Sequence, residues 1–350
     1  MLEQYTRQLR SAQCLTDQDV GTIVEQLVAE SVSAEVKADF LSELARKGET
    51  PAEITAFARE LRARAVQPRL DDSLRSGELL DVVGTGGDRL STFNISTTVA
   101  LLAAAAGVKV AKHGNRASTS PIGSADVMEA LGIPFDQGPE DAVRSLRERG
   151  FAFFFAPKYH PCFRYIIPAR KLCAARGQST IFNYLGPLLN PAAPTAALIG
   201  VPRPDLCEPL ARVLQSLGVR RAMVVCGSVR DGGGATRYLD ELSPLGPSTI
   251  AEFYQENGLN SSELAADAFP VQRAVLADLR GGDREVNSRI IRSILKGEER
   301  GPKRDAVLLN AAAALFVANR VRSMTEGWDL AAEIIDSGAA WRKFEQLRSL

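Results

Sequence analysis

Apolar side chains at Ile54, Phe57, Ala58 and Leu61 recur at the three-and-four spacing of a helix with one buried face. Just ahead of them stands Thr50-Pro51-Ala52-Glu53. This is a helix start: threonine as cap, proline at the first helical position, and glutamate reaching back to the free amides. Two similar runs precede it, one capped by Thr16 and ending near Glu30, one capped by Ser33 and covering Ala34 to Arg46. The first seventy residues therefore read as helices, and none of them looks catalytic. A module of this kind is scaffold or interface. Its apolar faces, with Ile54, Phe57 and Leu61, are expected to be buried against a second copy of the chain, packing within the chain being the alternative.

The pattern changes after Gln67-Pro68. Leu79 to Val83 reads as a buried strand that runs straight into Gly84-Thr85-Gly86-Gly87-Asp88. A helix over about Thr97 to Ala106 follows, then a second strand over Val108 to Ala111. Strand, turn, helix and strand in this order predict a parallel sheet in an α/β fold. Further strands are expected at Phe151 to Phe155, Ala197 to Val201 and Ala222 to Cys226, with helices at Ala125 to Leu131, Asp141 to Arg149 and Leu206 to Leu217. Two more helices are expected at Asp305 to Val321 and Asp329 to Gln346, and loops at Pro187 to Pro204 and Gly232 to Gly234.

Composition adds mainly exclusions. A chain of 350 residues with 45% hydrophobic and 24% charged residues is a folded protein with room for more than one domain. Its 42 basic and 42 acidic residues cancel, so no nucleic-acid or membrane-surface partner is expected. Cys14, Cys162, Cys173, Cys207 and Cys226 are scattered and odd in number. They read as reduced thiols, and the polar N-terminus carries no signal-peptide run, so a cytoplasmic location is expected.

Four short segments carry candidate chemistry. The Gly84–Asp88 turn lies at the carboxyl end of a strand, where glycines bring backbone amides against an anion. Asn94-Ile95-Ser96-Thr97 follows at a helix start and adds donors. It is neither a dinucleotide fingerprint, since Arg89 occupies the third glycine position, nor a P-loop, since no G-K-[ST] follows. Lys112-His113-Gly114-Asn115-Arg116-Ala117-Ser118-Thr119-Ser120, with Gly123-Ser124 beyond, leaves the second strand at the same sheet edge. Its cations, amide and hydroxyls suit phosphate oxygens. His160, in Lys158-Tyr159-His160-Pro161, is the second of only two histidines, and no metal-ligand cluster accompanies either. Asp240-Glu241-Leu242-Ser243 offers two adjacent carboxylates to one cation such as Mg²⁺, although a bare pair of this kind is far more often just two surface acids.

Taken in order, GTGGD, NIST, KHGNR, KYHP, TIFNYLGPLLNP and DELS resemble the anthranilate phosphoribosyltransferases over nearly the whole chain. The first motifs are shared with pyrimidine nucleoside phosphorylases, and a paralogue with another aromatic acceptor or no activity stays open. The resemblance implies a nucleoside phosphorylase/phosphoribosyltransferase-type fold. In it a helical domain spans residues 1–75, with part of 165–195 packing on it, and an α/β domain spans 76–350 around a central, mainly parallel sheet. It implies transfer of phosphoribosyl from phosphoribosyl diphosphate to anthranilate with Mg²⁺, in a homodimer joined through the helical domain. By that likeness Gly84, Thr85, Gly86, Gly87, Asp88, Thr92, Asn94, Ile95, Ser96, Thr97, Lys112, Asn115, Arg116, Ser118, Thr119, Ser120 and Ser124 hold the diphosphate donor. Ser96, Asp240 and Glu241 hold the metal. Gly84, Asn115, His160 and Arg170 meet anthranilate, and Lys112, His113 and His160 are the catalytic candidates. The sequence departs from the family at Cys226, where members often have histidine, at a longer Leu172 to Ser179 stretch, and at an expanded run from Arg230 to Tyr238.

Overall fold

Four amphipathic helices open the chain: α1 (Leu2–Arg10), α2 (Asp17–Val28), α3 (Ala34–Lys47) and α4 (Pro51–Ala63). The computed structural model describes residues 1–117, 122–230, 236–254 and 258–349. The starts of α2 and α4 are reciprocal capping boxes, Thr16 with Asp19 and Thr50 with Glu53, and Ser33 caps α3 through the Val36 amide. Ile54, Phe57 and Leu61 are 4%, 0% and 0% exposed. Their face of α4 packs within the chain, on α2 and on a helix of the second unit described below. These three side chains are therefore not free to meet a second copy, which corrects that expectation.

A short α5 (Asp72–Arg75) leads to β1 (Leu79–Gly84), α6 (Ile95–Ala105), β2 (Lys109–Gly114), α7 (Ser124–Leu131), α8 (Pro139–Arg149) and β3 (Phe151–Phe155). Next come α9 (Ala156–Tyr159), a 3₁₀ turn over Pro161–Tyr165, α10 (Ile167–Ala175), α11 (Phe182–Leu185) and a second 3₁₀ turn over Gly186–Leu189. The chain continues through β4 (Ala196–Gly200), α12 (Cys207–Ser216), β5 (Arg221–Arg230), β6 (Thr236–Leu239), β7 (Ser248–Tyr254) and β8 (Asn260–Leu264). It ends with α13 (Arg284–Leu295), α14 (Pro302–Val317), α15 (Met324–Asp336) and α16 (Ala339–Arg348).

The strands form one sheet in the order β3-β2-β1-β4-β5-β7-β8, with β6 pairing on β5. The first five are parallel, and β6, β7 and β8 are antiparallel. One apolar core packs α6, α13, α14, α15 and α16 on one sheet face. The other face shares its core with the helical bundle through α10 and α12. Cys226 belongs to that shared core and is 1% exposed, so it faces neither solvent nor the cleft described below.

Three features differ from the sequence reading. The C-terminal run from Asp329 is two helices, broken at Ser337-Gly338, where Gly338 takes a left-handed φ of 71°. The edge strand β8 carries no sequence signal because it is Asn-Ser-Ser-Glu-Leu, exposed and without an apolar face. The helix α13 also went unread. The stretch from Leu172 to Ser179 completes α10 and then turns back onto α3. There Cys173 lies under the Ala38 carbonyl, Arg176 pairs with Asp39 at 3.0 Å, and the Ser42 hydroxyl donates to Gln178 Oε1 at 2.6 Å.

Candidate active site

The strand order turns at β1, with β2 on one side and β4 on the other, so connections leave the sheet in opposite directions there. A crevice at the carboxyl end of such a switch is where α/β sheets bind ligands. It is present here as a cleft of about 710 Å³, lined by the Gly84–Asp88 turn, the start of α6, Lys112, the 114–116 and 122–124 segments, Asp240 and Glu241.

Glycines make room for the acids. A Cβ at Gly84 would stand 2.3 Å from Asp240 Oδ2, one at Gly200 1.6 Å from the Asp240 carbonyl oxygen, and one at Gly227 2.5 Å from the Glu241 carbonyl oxygen. Three strands thus carry glycine at or near their carboxyl ends because the Asp240-Glu241 backbone crosses over them. Asn310 clamps the next residue, accepting from the Leu242 amide at 2.9 Å and donating to its carbonyl at 2.9 Å. Asp240 Oδ2 then accepts from the Gly86 amide at 2.6 Å, and Glu241 Oε1 accepts from the Ser96 amide at 3.1 Å, in the first turn of α6.

The electrostatics of this cluster are unresolved within the protein. Burial and its neighbour Asp88 push the Asp240 carboxyl up to about 7, and burial raises Glu241 and Asp88 as well. Lys112 is a counter-charge to Glu241 and, more strongly, to the buried Asp81. It is 1% exposed, donates to the Val82 carbonyl at 2.6 Å and reaches Ser96 Oγ at 3.5 Å; burial lowers it to about 8. Asp88 Oδ2 and Asn94 Oδ1 are buried without a hydrogen-bond partner among the described residues. Buried polar atoms are normally paired, so orphans gathered at one cleft point to a missing ligand. No three histidine, cysteine or carboxylate side chains among the described residues form a metal cage by themselves. That fits Mg²⁺ held by one or two carboxylates with the remaining positions given to substrate oxygens and water.

The predicted donor residues sort into three groups. Gly84 to Asp88, Thr92, Asn94, Ile95, Ser96, Lys112, Asn115, Arg116 and Ser124 line the cleft. Thr97 does not: it is fully buried, one position past Ser96, with its face of α6 turned to the core. Arg116 reaches the rim, but its guanidinium is bound by Asp126 at 2.8 Å and Glu129 at 3.0 Å, so its charge is already answered. Ser118, Thr119 and Ser120 lie outside the described residues. The sequence reading missed Gly281 and Gly282, which also line the cleft. Gly281-Gly282-Asp283 repeats the Gly86-Gly87-Asp88 string, and that echo was the available signal.

His113 and His160 lie behind the cleft rather than in its lining. Their rings are 5.3 Å apart; His160 stacks on Phe163 at 5.1 Å, Phe163 meets Phe182 at 5.8 Å, and Arg170 lies over Phe182 at 5.6 Å. Burial lowers His113 to about 3 and His160 to about 4, so both imidazoles are neutral at physiological pH. His113 Nδ1 lies 3.2 Å from the Gly186 carbonyl, which accepts its proton and leaves Nε2 as a bare, buried acceptor. Arg170, half-buried, makes no ion pair with any described carboxylate. The Asn190 of the predicted Pro187–Pro204 loop is structural: its amide donates to Asp81 at 2.8 Å and to the Ala111 carbonyl at 2.7 Å, tying β1 to β2 beneath the site.

Fold and cleft together are those of a glycosyl transferase: the helical bundle domain of that family matches residues 3–65 and its a/b domain matches residues 76–341. The anthranilate phosphoribosyltransferase of Symbiobacterium thermophilum is 46% identical, covering 98% of this chain and 95% of the relative. The crystal structure of the Thermus thermophilus enzyme of that name superposes with a TM-score of 0.86 at 40% identity, over 98% of both chains. The Saccharomyces cerevisiae enzyme in complex with PRPP and Mg gives 0.86 at 26% identity, over 99% of this chain and 96% of that one. The chain belongs to the anthranilate phosphoribosyltransferase family.

Proposed function

We propose that this chain transfers the 5-phosphoribosyl group of phosphoribosyl diphosphate to the amine of anthranilate, giving N-(5-phosphoribosyl)anthranilate and diphosphate in tryptophan biosynthesis. The observation that carries the reading is the convergence on one cleft of the glycine turn, the start of α6, Lys112 and three crowded carboxylates. Behind it an aromatic run ends on Arg170, which makes no ion pair with any described carboxylate. The first half suits a diphosphate and the second an aromatic acid.

Ser96, Asp240 and Glu241 would hold Mg²⁺, with Asp88 beside them. When bound, the cation supplies positive charge to the departing diphosphate. The backbone amides of the Gly84–Asp88 turn and of α6 orient the phosphates, and Lys112 stabilises the charge that builds on them. Nitrogen attacks C1 of the ribose as the C1–oxygen bond breaks; the amine then loses a proton. His113 Nε2 and the neutral His160 offer lone pairs to hydrogen-bond that amine, and Arg170 forks the carboxylate. Catalysis rests mostly on holding two substrates in line.

A cytoplasmic homodimer belongs to the same reading. The five thiols are free, and no helix among the described residues is long and apolar enough to cross a membrane. The decisive assay follows loss of anthranilate fluorescence with phosphoribosyl diphosphate and Mg²⁺, beside a thymidine-plus-phosphate control. Turnover in the first arm supports the reading. Phosphorolysis in the control with none in the first arm overturns it.

A further inference from the structure

Arg62 stands in the last turn of α4, on the helical bundle, and no motif in the sequence draws attention to it. Its guanidinium is half-buried and makes no ion pair or hydrogen bond with any described residue, and burial lowers its pKa. A desolvated, unanswered guanidinium is costly to keep unless something arrives to meet it.

The surroundings say where it points its charge. The end of α4 is tied to the His160 loop by the Val66 amide, which donates to the Tyr159 carbonyl at 2.8 Å. The same helix packs on the 3₁₀ turn over Gly186–Leu189, whose first carbonyl accepts from His113. Arg62 is also close enough for its charge to help depress both imidazoles. It therefore sits at the His113–His160 end of the aromatic run, while Arg170 sits at the Phe182 end. The histidine end adjoins Lys112, and so the donor cleft, through β2.

We infer that Arg62 is a second carboxylate-recognition residue of the acceptor path, supplied by the helical bundle at its donor end. The inference rests on the aromatic-acid acceptor of the proposed function. An aromatic acid entering past Arg170 would find at Arg62 the charge that draws it onward to the neutral imidazoles. The helical bundle would then contribute directly to substrate choice, through a cation that it directs toward the histidines.

The experiment compares anthranilate with methyl anthranilate, the same ring and amine with the charge capped. Dissociation constants for both, and for phosphoribosyl diphosphate, are measured on the full-length protein, on Arg62→Gln and on Arg62→Lys. Loss of a hydrogen bond to a charged group predicts that Arg62→Gln weakens anthranilate roughly ten- to hundredfold. The ester and the diphosphate donor should be unchanged, and Arg62→Lys should recover part of the loss. Equal weakening of acid and ester makes Arg62 a merely structural residue and overturns the inference, as does no weakening at all. Should the glutamine variant not fold, the lysine variant carries the comparison: it keeps the charge but not the fork, and must still lose acid binding selectively. If the unaltered protein neither binds nor consumes anthranilate, the acceptor reading itself has failed, and this inference with it.

Discussion

Asp88, Asp240 and Glu241 are carboxylates crowded together at the floor of the cleft, and Lys112, which answers Glu241, is shared with the buried Asp81. They are arranged for a ligand rather than for stability. Asp240→Asn with Glu241→Gln should abolish metal-dependent turnover. The same double variant should melt a few degrees higher than the unaltered protein when both are metal-free at neutral pH, because two carboxyls that burial holds above their ordinary pKa, at a cost to folding, are gone. A calorimetric scan beside the activity assay checks both halves; full turnover in the variant would remove the metal role. Arg170 makes the opposite case, a cation that meets no described carboxylate. If anthranilate is its partner, Arg170→Ala strands a buried carboxylate, at about 2–5 kcal/mol. The expected loss in kcat/KM for anthranilate is roughly thirtyfold or more. The donor constant should stay where it was. Separate titrations of the two substrates decide this, and a shift in the donor constant alone would contradict the assignment.

Among elements, the ends of β1, β4 and β5 matter more than their middles. Gly84, Gly200 and Gly227 each sit where a Cβ would enter the Asp240–Ser243 segment. Gly200 is the tightest, with the obstacle 1.6 Å away, and there, unlike at Gly84, it is backbone rather than a side chain that could swing away. Gly200→Ala is expected to destabilise by about 1–3 kcal/mol, as overpacking does. It should also weaken Mg²⁺ dependence by displacing Asp240. Thermal melts and a metal titration read these separately, and unchanged values in both would show that the strand end gives way easily. The helix α4 has a comparable double role. Its apolar face seals the shared core, while its last turn carries Arg62 toward the histidines.

For the whole molecule, the pH dependence of stability follows from the same acids. Unfolded, Asp240 titrates near 3.8; folded, it is pushed up to about 7. Between those values the folded protein holds a proton that the unfolded chain releases. Stability of the metal-free protein therefore falls as pH rises across this window. Mg²⁺ with diphosphate should reverse the loss at pH 8 and do little at pH 5. Denaturation at the two pH values, with Asp240→Asn as the control whose slope is reduced, measures it. The homodimer is tested by sedimentation at micromolar concentration, with a dimer expected. Since Ile54, Phe57 and Leu61 are buried inside the chain, any interface must use other faces of the bundle.

Much of this was legible in the chain itself, because helix caps, buried strand runs and glycine turns are local. Thr16, Ser33 and Thr50 announced α2, α3 and α4, and Phe151–Phe155 announced β3, since the backbone responds to neighbours a few residues away. The motif order announced the family. What only the tertiary structure decided depends on contacts across long separations. Asp240 reaches Gly86 across 154 residues, and Glu241 reaches Ser96 across 145. That Thr97 faces the core, that Arg116 is already paired and that Arg62 meets no described partner are matters of which partner a side chain meets. Sequence spacing carries no record of that, because burial and charge pairing are set by the packing of elements and not by the order in which they are joined.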